Sequence, residues 1–183
     1  MDVQAGIVGR VAEPDALLDR LVTAVDAARS AGVPVIFVRV AFRDGYPEVA
    51  ASNRSFGALA TMGGFGESDP ATQLHPRVAP LPGEVVVMKR RTSAFTGSDL
   101  AEVLRGGRID TLVLTGIATS GVVLSTLRQA ADLDYRLVVL ADACADADPE
   151  VHRVLTTKVF PRQAEVSTVD EWVAGLKGEF SRR

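Results

Sequence analysis

Three residues of this sequence could do chemistry together, because of their types and their places in the pattern: a carboxylate, an ammonium and a glycine. Asp2 stands among the first apolar residues, Lys89 directly follows an apolar run, and Gly121 lies in a turn that leads into an amphipathic stretch. A carboxyl group can donate or accept a proton, and an ammonium can hold an anionic oxygen. A glycine at a helix start leaves backbone N–H groups open to such an oxygen. The carboxylate and the ammonium together indicate acid–base chemistry.

The elements that must position these residues alternate between short β-branched runs and amphipathic stretches. This alternation predicts an α/β fold: a three-layer αβα sandwich with a mostly parallel, Rossmann-like central sheet. In such sheets ligands bind outside the carboxyl ends of the strands, where Asp2 and Lys89 are expected to lie. The predicted strands are 35–40, 85–88, 111–114, 137–140 and a short one at 164–167.

The helices are predicted from apolar residues at helical spacing. The clearest case is 14–31, where Leu17, Leu21 and Val25 share one face and Gly32 ends the pattern. Further candidates are 52–60, 99–105, 122–133, 149–159 and 169–176. The segment 41–83 is rich in Gly, Pro, Asn and Ser, and a segment of that length in a compact domain is usually functional or mobile.

The N-terminal residues 1–4 read like the closing residues of a strand whose apolar body is missing. Either the chain begins upstream of Met1 or the sheet lacks a member, and the first alternative is our expectation. The length of 183 residues and the ordinary composition, 47% hydrophobic and 23% charged, predict one domain over 1–183 with its first strand truncated.

Composition also excludes several classes of function. The net charge of -3 makes nucleic-acid binding improbable. No apolar run approaches the roughly 18 residues of a membrane span, and residues 1–20 show no basic region followed by a hydrophobic stretch, so we expect neither membrane insertion nor export. The single cysteine, Cys144, cannot form an internal disulfide, which suits a cytoplasmic protein. His75 and His152 form no metal-ligand cluster, and the dinucleotide glycine fingerprint is absent, so we expect neither metal nor cofactor.

Three motifs carry a resemblance to a known family. They are Met-Asp-Val-Gln around Asp2, Val-Val-Val-Met-Lys-Arg-Arg-Thr-Ser-Ala-Phe around Lys89, and Gly-Ile-Ala-Thr-Ser-Gly-Val-Val-Leu-Ser-Thr around Gly121. Together they resemble the isochorismatase-like hydrolases, also called cysteine hydrolases. The resemblance implies that Asp2 is the acid/base carboxylate and Lys89 its cationic neighbour. It also implies a cis peptide bond at Ile117–Ala118 and a homo-oligomeric assembly.

Position 121 is where amidohydrolase members of this family carry the cysteine. The glycine there resembles the isochorismatases, which hydrolyse a vinyl ether. The resemblance therefore implies a hydrolase of a small carboxylated metabolite, with isochorismate as the named candidate and Asp2 as general acid/base, without a covalent cysteine intermediate. The pKa of Asp2 stays open, because burial raises it and Lys89 lowers it. Two alternatives are a non-thiol amidohydrolase of small amides or esters and a catalytically inactive binding or assembly member.

Residues for substrate binding are expected around this centre. Among Arg39, Arg43 and Arg54, the resemblance favours Arg54 for a substrate carboxylate, because its position is similar to that of an arginine in the phenazine-type isochorismatases; a solvated surface arginine is the commoner case. Phe42 and Phe95 could wall an apolar pocket or pack in the core, and Ile117 and Ala118 belong to the turn beside the site. Three hydroxyl groups near Gly121 are assigned to helix capping and packing, because no histidine motif is positioned to activate them. They belong to Thr119, Ser120 and Ser125.

Overall fold

The computed structural model describes the main chain of residues 1–180 and the side chains of residues 1–176. Five strands alternate with seven helices in that range. The strands are β1 (Ile36–Val40), β2 (Val85–Lys89), β3 (Thr111–Ile117), β4 (Arg136–Ala145) and β5 (Glu165–Ser167). The helices are α1 (Ala5–Val8), α2 (Pro14–Ser30), α3 (Phe56–Met62), α4 (Leu100–Gly106), α5 (Leu124–Asp132), α6 (Pro149–Val154) and α7 (Val169–Phe180). Short 3-10 turns lie at Pro70–Thr72, Pro76–Val78 and Phe160–Arg162, and π turns at Thr119–Val123 and Leu155–Val159.

The paired strands are all parallel and form two groups, β1–β2 and β3–β4–β5. The first two residues of the chain join these two groups. Asp2 donates its N–H to the carbonyl of Val38 in β1 at 2.8 Å. On the other side, Ile117 of β3 donates to the carbonyl of Met1 at 3.1 Å. The N-terminus therefore lies between β1 and β3, like the last residues of a central strand.

Helices cover both faces of the sheet, which makes the fold a three-layer αβα sandwich. In β4, Leu137 and Val139 pack into one core cluster with residues of α4 and α5. Leu140, on the opposite face, packs with Leu21 of α2 and Val169 of α7. This period of two is typical of a strand buried on both faces. None of the helices in the described range is long and apolar enough to cross a membrane.

The predicted elements are present, with bounds that differ where tertiary contacts intervene. Helix α2 ends before Gly32, whose φ of +66° is the left-handed conformation that stops helices. Strands β3 and β4 are longer than predicted, because Gly116 and Ile117 continue the ladder with Cys144 and Ala145 beyond the first apolar runs. Helix α3 begins later than predicted, since the side chain of Asn53 accepts the N–H groups of Ser55 and Phe56. Helix α1 was not predicted.

The irregular segment between β1 and β2 has a small core of its own. Phe42 is fully buried, with the rings of Tyr46 and Phe56 each 5.5 Å from it between centroids. Arg90, directly after β2, holds the start of this segment through the carbonyl of Ala41 at 2.5 Å and through an ion pair with Glu67 at 2.5 Å. The segment is thereby tied to the carboxyl end of the sheet.

Candidate active site

Asp2 and Lys89 form a buried ion pair at the carboxyl ends of the strands. Lys89 Nζ lies 2.8 Å from Asp2 Oδ2, and the side chains are 2% and 8% exposed. Lys89 closes β2, and its Nζ also donates to the carbonyl of Arg91 at 2.9 Å. Asp2 has a φ of +55°, and its N–H is fixed by the carbonyl of Val38. The structure thus brings together the predicted carboxylate and its predicted cationic neighbour.

The Asp2 carboxyl has two different oxygens. Oδ2 receives Lys89, whereas Oδ1 is buried and has no hydrogen-bond partner in the described part of the chain. Burial raises the pKa of Asp2 and outweighs the charge and the hydrogen bond of Lys89, which lower it. The question that the sequence left open is answered in favour of burial. The site therefore offers a carboxyl group with a raised pKa and one free oxygen.

The turn after β3 approaches the N-terminus so closely that it requires a glycine. At Gly116, where φ is +133°, an added Cβ would lie 2.0 Å from the carbonyl oxygen of Met1. The next peptide bond, Ile117–Ala118, is cis as the resemblance implied. Ile117 is buried and donates its N–H to the carbonyl of Met1, and the next residue, Ala118, is half-buried. Both residues adjoin the Asp2 end of the sheet, and their contact with a substrate stays a prediction.

Gly121 lies within the π turn Thr119–Val123 that precedes α5. Among the described residues, an added Cβ at Gly121 would meet only the Cβ of Ala118, at 3.7 Å, which is an ordinary contact. The prediction of a free N–H here is wrong: Gly121 donates to the carbonyl of Ala118 at 3.0 Å. The N–H of Ser120 is also occupied, by Asp146 Oδ2 at 2.7 Å. Gly121 therefore contributes space to the turn, and its own N–H is not available to an anionic oxygen.

A histidine does lie beside one of the hydroxyls in this turn, contrary to the sequence analysis. Thr119 Oγ1 and His152 Nδ1 are 2.8 Å apart. Thr119 is fully buried, and partial burial lowers the pKa of His152 although Asp146 raises it. Because the hydroxyl is inaccessible, the pair anchors the turn to α6. The two residues are 33 positions apart, so no local sequence signal reveals them.

Gln4 is a positioning residue that the sequence analysis missed. Its side chain is fully buried, accepts the N–H of Val40 at 2.9 Å, and donates to the carbonyls of Val40 at 2.9 Å and Thr72 at 2.7 Å. After Asp2 the main chain leaves the ladder, and the side-chain amide of Gln4 makes the hydrogen bonds to Val40 of β1 in its place. The available signal was an uncharged polar residue at the end of an apolar N-terminal motif.

The Lys89 motif is tied directly to α5. Ala94 donates its N–H to Thr126 Oγ1 at 2.9 Å, and Ser93 Oγ donates to Gln129 Oε1 at 2.7 Å. The motif around Lys89 is therefore hydrogen-bonded to the helix that follows Gly121. Phe95, which follows them, is 8% exposed and packs in the core, with its ring 6.1 Å from that of Tyr135.

The other predicted substrate-binding residues, Arg54 and Phe42, belong to the irregular segment between β1 and β2. Arg54 is exposed just before α3, and Phe42 is buried in the small core of the long segment. For Phe42 and Phe95 the structure shows the core packing that the sequence analysis kept as an alternative. Contact of Arg54 or either ring with a substrate stays a prediction.

Two arginines beside Lys89 were missed as organisers of the site. Arg90 lies 3.3 Å from Glu48, and Arg91 donates to the carbonyl of Glu48. Arg43 also pairs with Glu48, at 2.7 Å. The cations that follow Lys89 thus fasten the long segment over the end of β2.

Comparison with known proteins places this architecture in a family. The isochorismatase domain model matches residues 1–171. An uncharacterized isochorismatase family protein of Bacillus subtilis (strain 168), YwoC, is 33% identical over 97% of this chain and 92% of its own length. Ureidoacrylate amidohydrolase RutB of Pseudomonas syringae pv. syringae (strain B728a) is 38% identical over 82% of this chain, but the match spans 64% of RutB.

Solved structures agree. An isochorismatase family protein from Burkholderia thailandensis superposes with a TM-score of 0.82 at 30% identity, covering 96% of this chain and 92% of its own. A cysteine hydrolase from Pseudomonas syringae pv. phaseolicola 1448A gives a TM-score of 0.88 at 25% identity, with coverages of 97% and 90%. The chain belongs to the isochorismatase family and is a hydrolase of that family.

Proposed function

We propose that this isochorismatase-family hydrolase cleaves a small carboxylated metabolite, with Asp2 as general acid/base and without a covalent cysteine intermediate. The observation that carries the proposal is the Asp2 carboxyl, with one oxygen held by Lys89, one free, and a pKa raised by burial. A carboxyl group with a raised pKa keeps its proton nearer to neutral pH and can donate it in a transition state.

The chemistry that fits such an acid is hydrolysis of a vinyl ether, with isochorismate as the candidate substrate. Asp2 gives its proton to the terminal vinyl carbon, which leaves an oxocarbenium ion and a carboxylate. Water adds to the cation and returns a proton to Asp2. The hemiketal then breaks its C–O bond to the ring and releases pyruvate and the alcohol. Lys89 stabilises the Asp2 carboxylate between the two proton transfers, because opposite charges in contact favour the ionised form.

Thiol chemistry has no support in this chain. Position 121 is a glycine, and the single cysteine is Cys144. Burial raises the pKa of Cys144 to about 12, so the thiolate that attacks a carbonyl is scarcely populated near neutral pH. A mechanism in which water is the nucleophile requires only the acid/base residue and its cation.

A second candidate, hydrolysis of a small amide or ester, is favoured by the relatives named ureidoacrylate amidohydrolase, such as RutB of Stutzerimonas stutzeri (strain A1501), 36% identical over 84% of this chain and 64% of its own. Here Asp2, in its ionised state, activates water for direct attack. A carboxylate with a raised pKa is the stronger base, so the same residue serves this reaction.

The test is to incubate the protein with isochorismate and to measure pyruvate. We expect turnover by the parent protein and a loss of about 10²–10⁴-fold in Asp2→Asn, because the amide cannot donate the proton. Asp110→Asn is the matched control: Asp110 is exposed at the start of β3, and its variant keeps the parent rate. No pyruvate above the rate without enzyme refutes this substrate, and an active Asp2→Asn protein refutes the role of Asp2.

The amide reaction is tested in parallel with ureidoacrylate, by ammonia release. Gly121→Cys has room for its Cβ, 3.7 Å from Ala118, and is expected to raise amide hydrolysis if the turn still positions an acyl carbon. If neither substrate turns over, and Asp2→Asn and Lys89→Ala match the parent protein in every assay, the alternative of an inactive binding member is the correct one.

A further inference from the structure

Two buried side-chain oxygens have no hydrogen-bond partner in the part of the chain that the structure describes, Asp2 Oδ1 and Glu48 Oε2. The first belongs to the proposed acid/base residue. The second belongs to the irregular segment between β1 and β2, and the proposed reaction makes no use of it. Buried acceptors in proteins are nearly always paired, so an unpaired one points to a proton donor that this part of the chain does not supply.

The two oxygens of the Glu48 carboxylate have different surroundings. Oε1 accepts a hydrogen bond from Arg43 Nη1 at 2.7 Å and lies 3.3 Å from Arg90 Nε. The side chain of Glu48 is 14% exposed. Burial raises the pKa of Glu48, but main-chain hydrogen bonds and the Arg43 side chain together lower it by more, so the group is ionised near neutral pH. Both arginines thus contact one oxygen and leave the other as a buried, charged acceptor.

A short series of contacts connects Glu48 to the Asp2–Lys89 ion pair. Lys89 Nζ donates to the carbonyl of Arg91 at 2.9 Å, and the Arg91 guanidinium donates to the carbonyl of Glu48. Arg90, between these two residues in sequence, contacts the Glu48 carboxylate itself. The carboxylate therefore lies between the long segment and the carboxyl end of β2. This is the edge at which parallel sheets bind ligands.

The contacts that hold the segment over this edge include two ion pairs with a solvated partner. Glu67, which pairs with Arg90, is 42% exposed, and Arg43, which pairs with Glu48, is 63% exposed. Ion pairs of this kind contribute little to stability. Residues 43–45 of the segment are themselves exposed. A local shift of the segment, without any change in the strands, would therefore open Oε2 to a small ligand.

We propose that Glu48 is a specificity-determining residue, whose Oε2 accepts a hydroxyl group of the carboxylated substrate while Arg43 and Arg90 hold Oε1. The proposal rests on the proposed function, because it places the substrate beside Asp2 and Lys89. The surrounding cations repel an ammonium group, so a neutral hydroxyl is the donor that fits. A site with a buried polar group rejects analogues that leave this group unpaired, and the substrate class narrows to hydroxylated carboxylic acids.

The first test measures binding by the parent protein with isothermal titration calorimetry at pH 7. The probes are the three positional isomers of hydroxybenzoate, each compared with its own methyl ether, which keeps the ring and the carboxylate but cannot donate a hydrogen bond. At least one hydroxybenzoate is expected to bind about tenfold to a hundredfold more tightly than its ether, because its hydroxyl pairs with a charged oxygen. Equal binding within every pair, which is the result if an ordered water satisfies Oε2, overturns the proposal, and so does the absence of binding.

The second test repeats the titrations with Glu48→Gln. The amide keeps its oxygen towards the two arginines, which only donate, and places its NH₂ group where Oε2 was. This group donates to an ether oxygen as well as to a hydroxyl oxygen, so the preference is expected to fall to within about threefold. Glu67→Gln is the matched control: it alters the other carboxylate on Arg90, which is 42% exposed, and keeps the parent preference. A Glu48→Gln protein with the parent preference, or an equal loss in Glu67→Gln, overturns the role of Glu48.

These titrations require no turnover, so they separate the role of Glu48 from the proposed reaction. If the parent protein prefers hydroxylated probes and Glu48→Gln does not, but isochorismate yields no pyruvate, the role of Glu48 is supported and that substrate is refuted. If pyruvate is formed but no probe pair is distinguished, the role of Glu48 is refuted and that of Asp2 is unaffected.

Discussion

Replacing Asp2 and Lys89, singly and together, tests whether they form one electrostatic unit. The variants are Asp2→Ala, Lys89→Met and the double substitution, because alanine and methionine remove the two polar groups altogether. The side chains are 8% and 2% exposed, so each single variant leaves a polar or charged group without its partner in a buried site. Breaking a buried pair by removing one partner costs about 3–5 kcal/mol, whereas removing both groups can be nearly neutral. We expect the double variant to be more stable than the sum of the single effects predicts, by at least about 2 kcal/mol.

The measurement is a double-mutant cycle from urea unfolding at fixed pH, with the free energy of unfolding extrapolated to water. Single effects that add to the double effect within about 0.5 kcal/mol would refute the reasoning, because additivity is the behaviour of independent sites. Arg136→Met paired with Asp110→Asn provides the control cycle. That pair is 2.8 Å apart but largely exposed, so its coupling is expected to be below about 1 kcal/mol.

The pH dependence of the stability of Lys89→Met tests the same ion pair in a second way. Lys89 supplies the two largest causes that lower the pKa of Asp2, so its loss raises that pKa further. A carboxyl whose folded pKa lies above its unfolded value of about 3.9 loses stability as pH rises towards the folded pKa. The loss in free energy of unfolding that Lys89→Met causes relative to the parent protein is therefore expected to be larger at pH 8 than at pH 5. The opposite order contradicts the assignment of burial as the dominant cause.

Three shorter predictions follow from the packing around the site. Gly116→Ala, whose Cβ would lie 2.0 Å from main chain, is expected to destabilise by at least about 3 kcal/mol, whereas Gly9→Ala, with no described atom within 4 Å, stays near the parent in urea unfolding. Thr119→Val leaves the imidazole beside it unpaired and should lower the free energy of unfolding by about 1–3 kcal/mol by the same measurement. Cys144, buried with a pKa raised to about 12, should resist iodoacetamide at pH 8 in the folded protein and react in urea, as followed by mass spectrometry.

The site residues that could be predicted from sequence are those positioned at the carboxyl ends of strands. Lys89 was identifiable because it directly follows an apolar run, and such a run in a parallel sheet delivers the next residue to the ligand-binding edge. The position of Asp2 followed from the same rule, although only two residues pair in the ladder. The architecture followed from the alternation of β-branched runs with amphipathic stretches, and strands such as β4 are buried on both faces, as their apolar runs indicate.

The rest depends on contacts between distant parts of the chain. The pKa of Asp2 reflects how completely the fold removes water from it, which no local pattern encodes. The Thr119–His152 contact joins the π turn to α6, and the N–H of Gly121 is consumed inside that turn. Sequence reasoning assumed an ordinary helix start there, with free N–H groups, and this is why it failed.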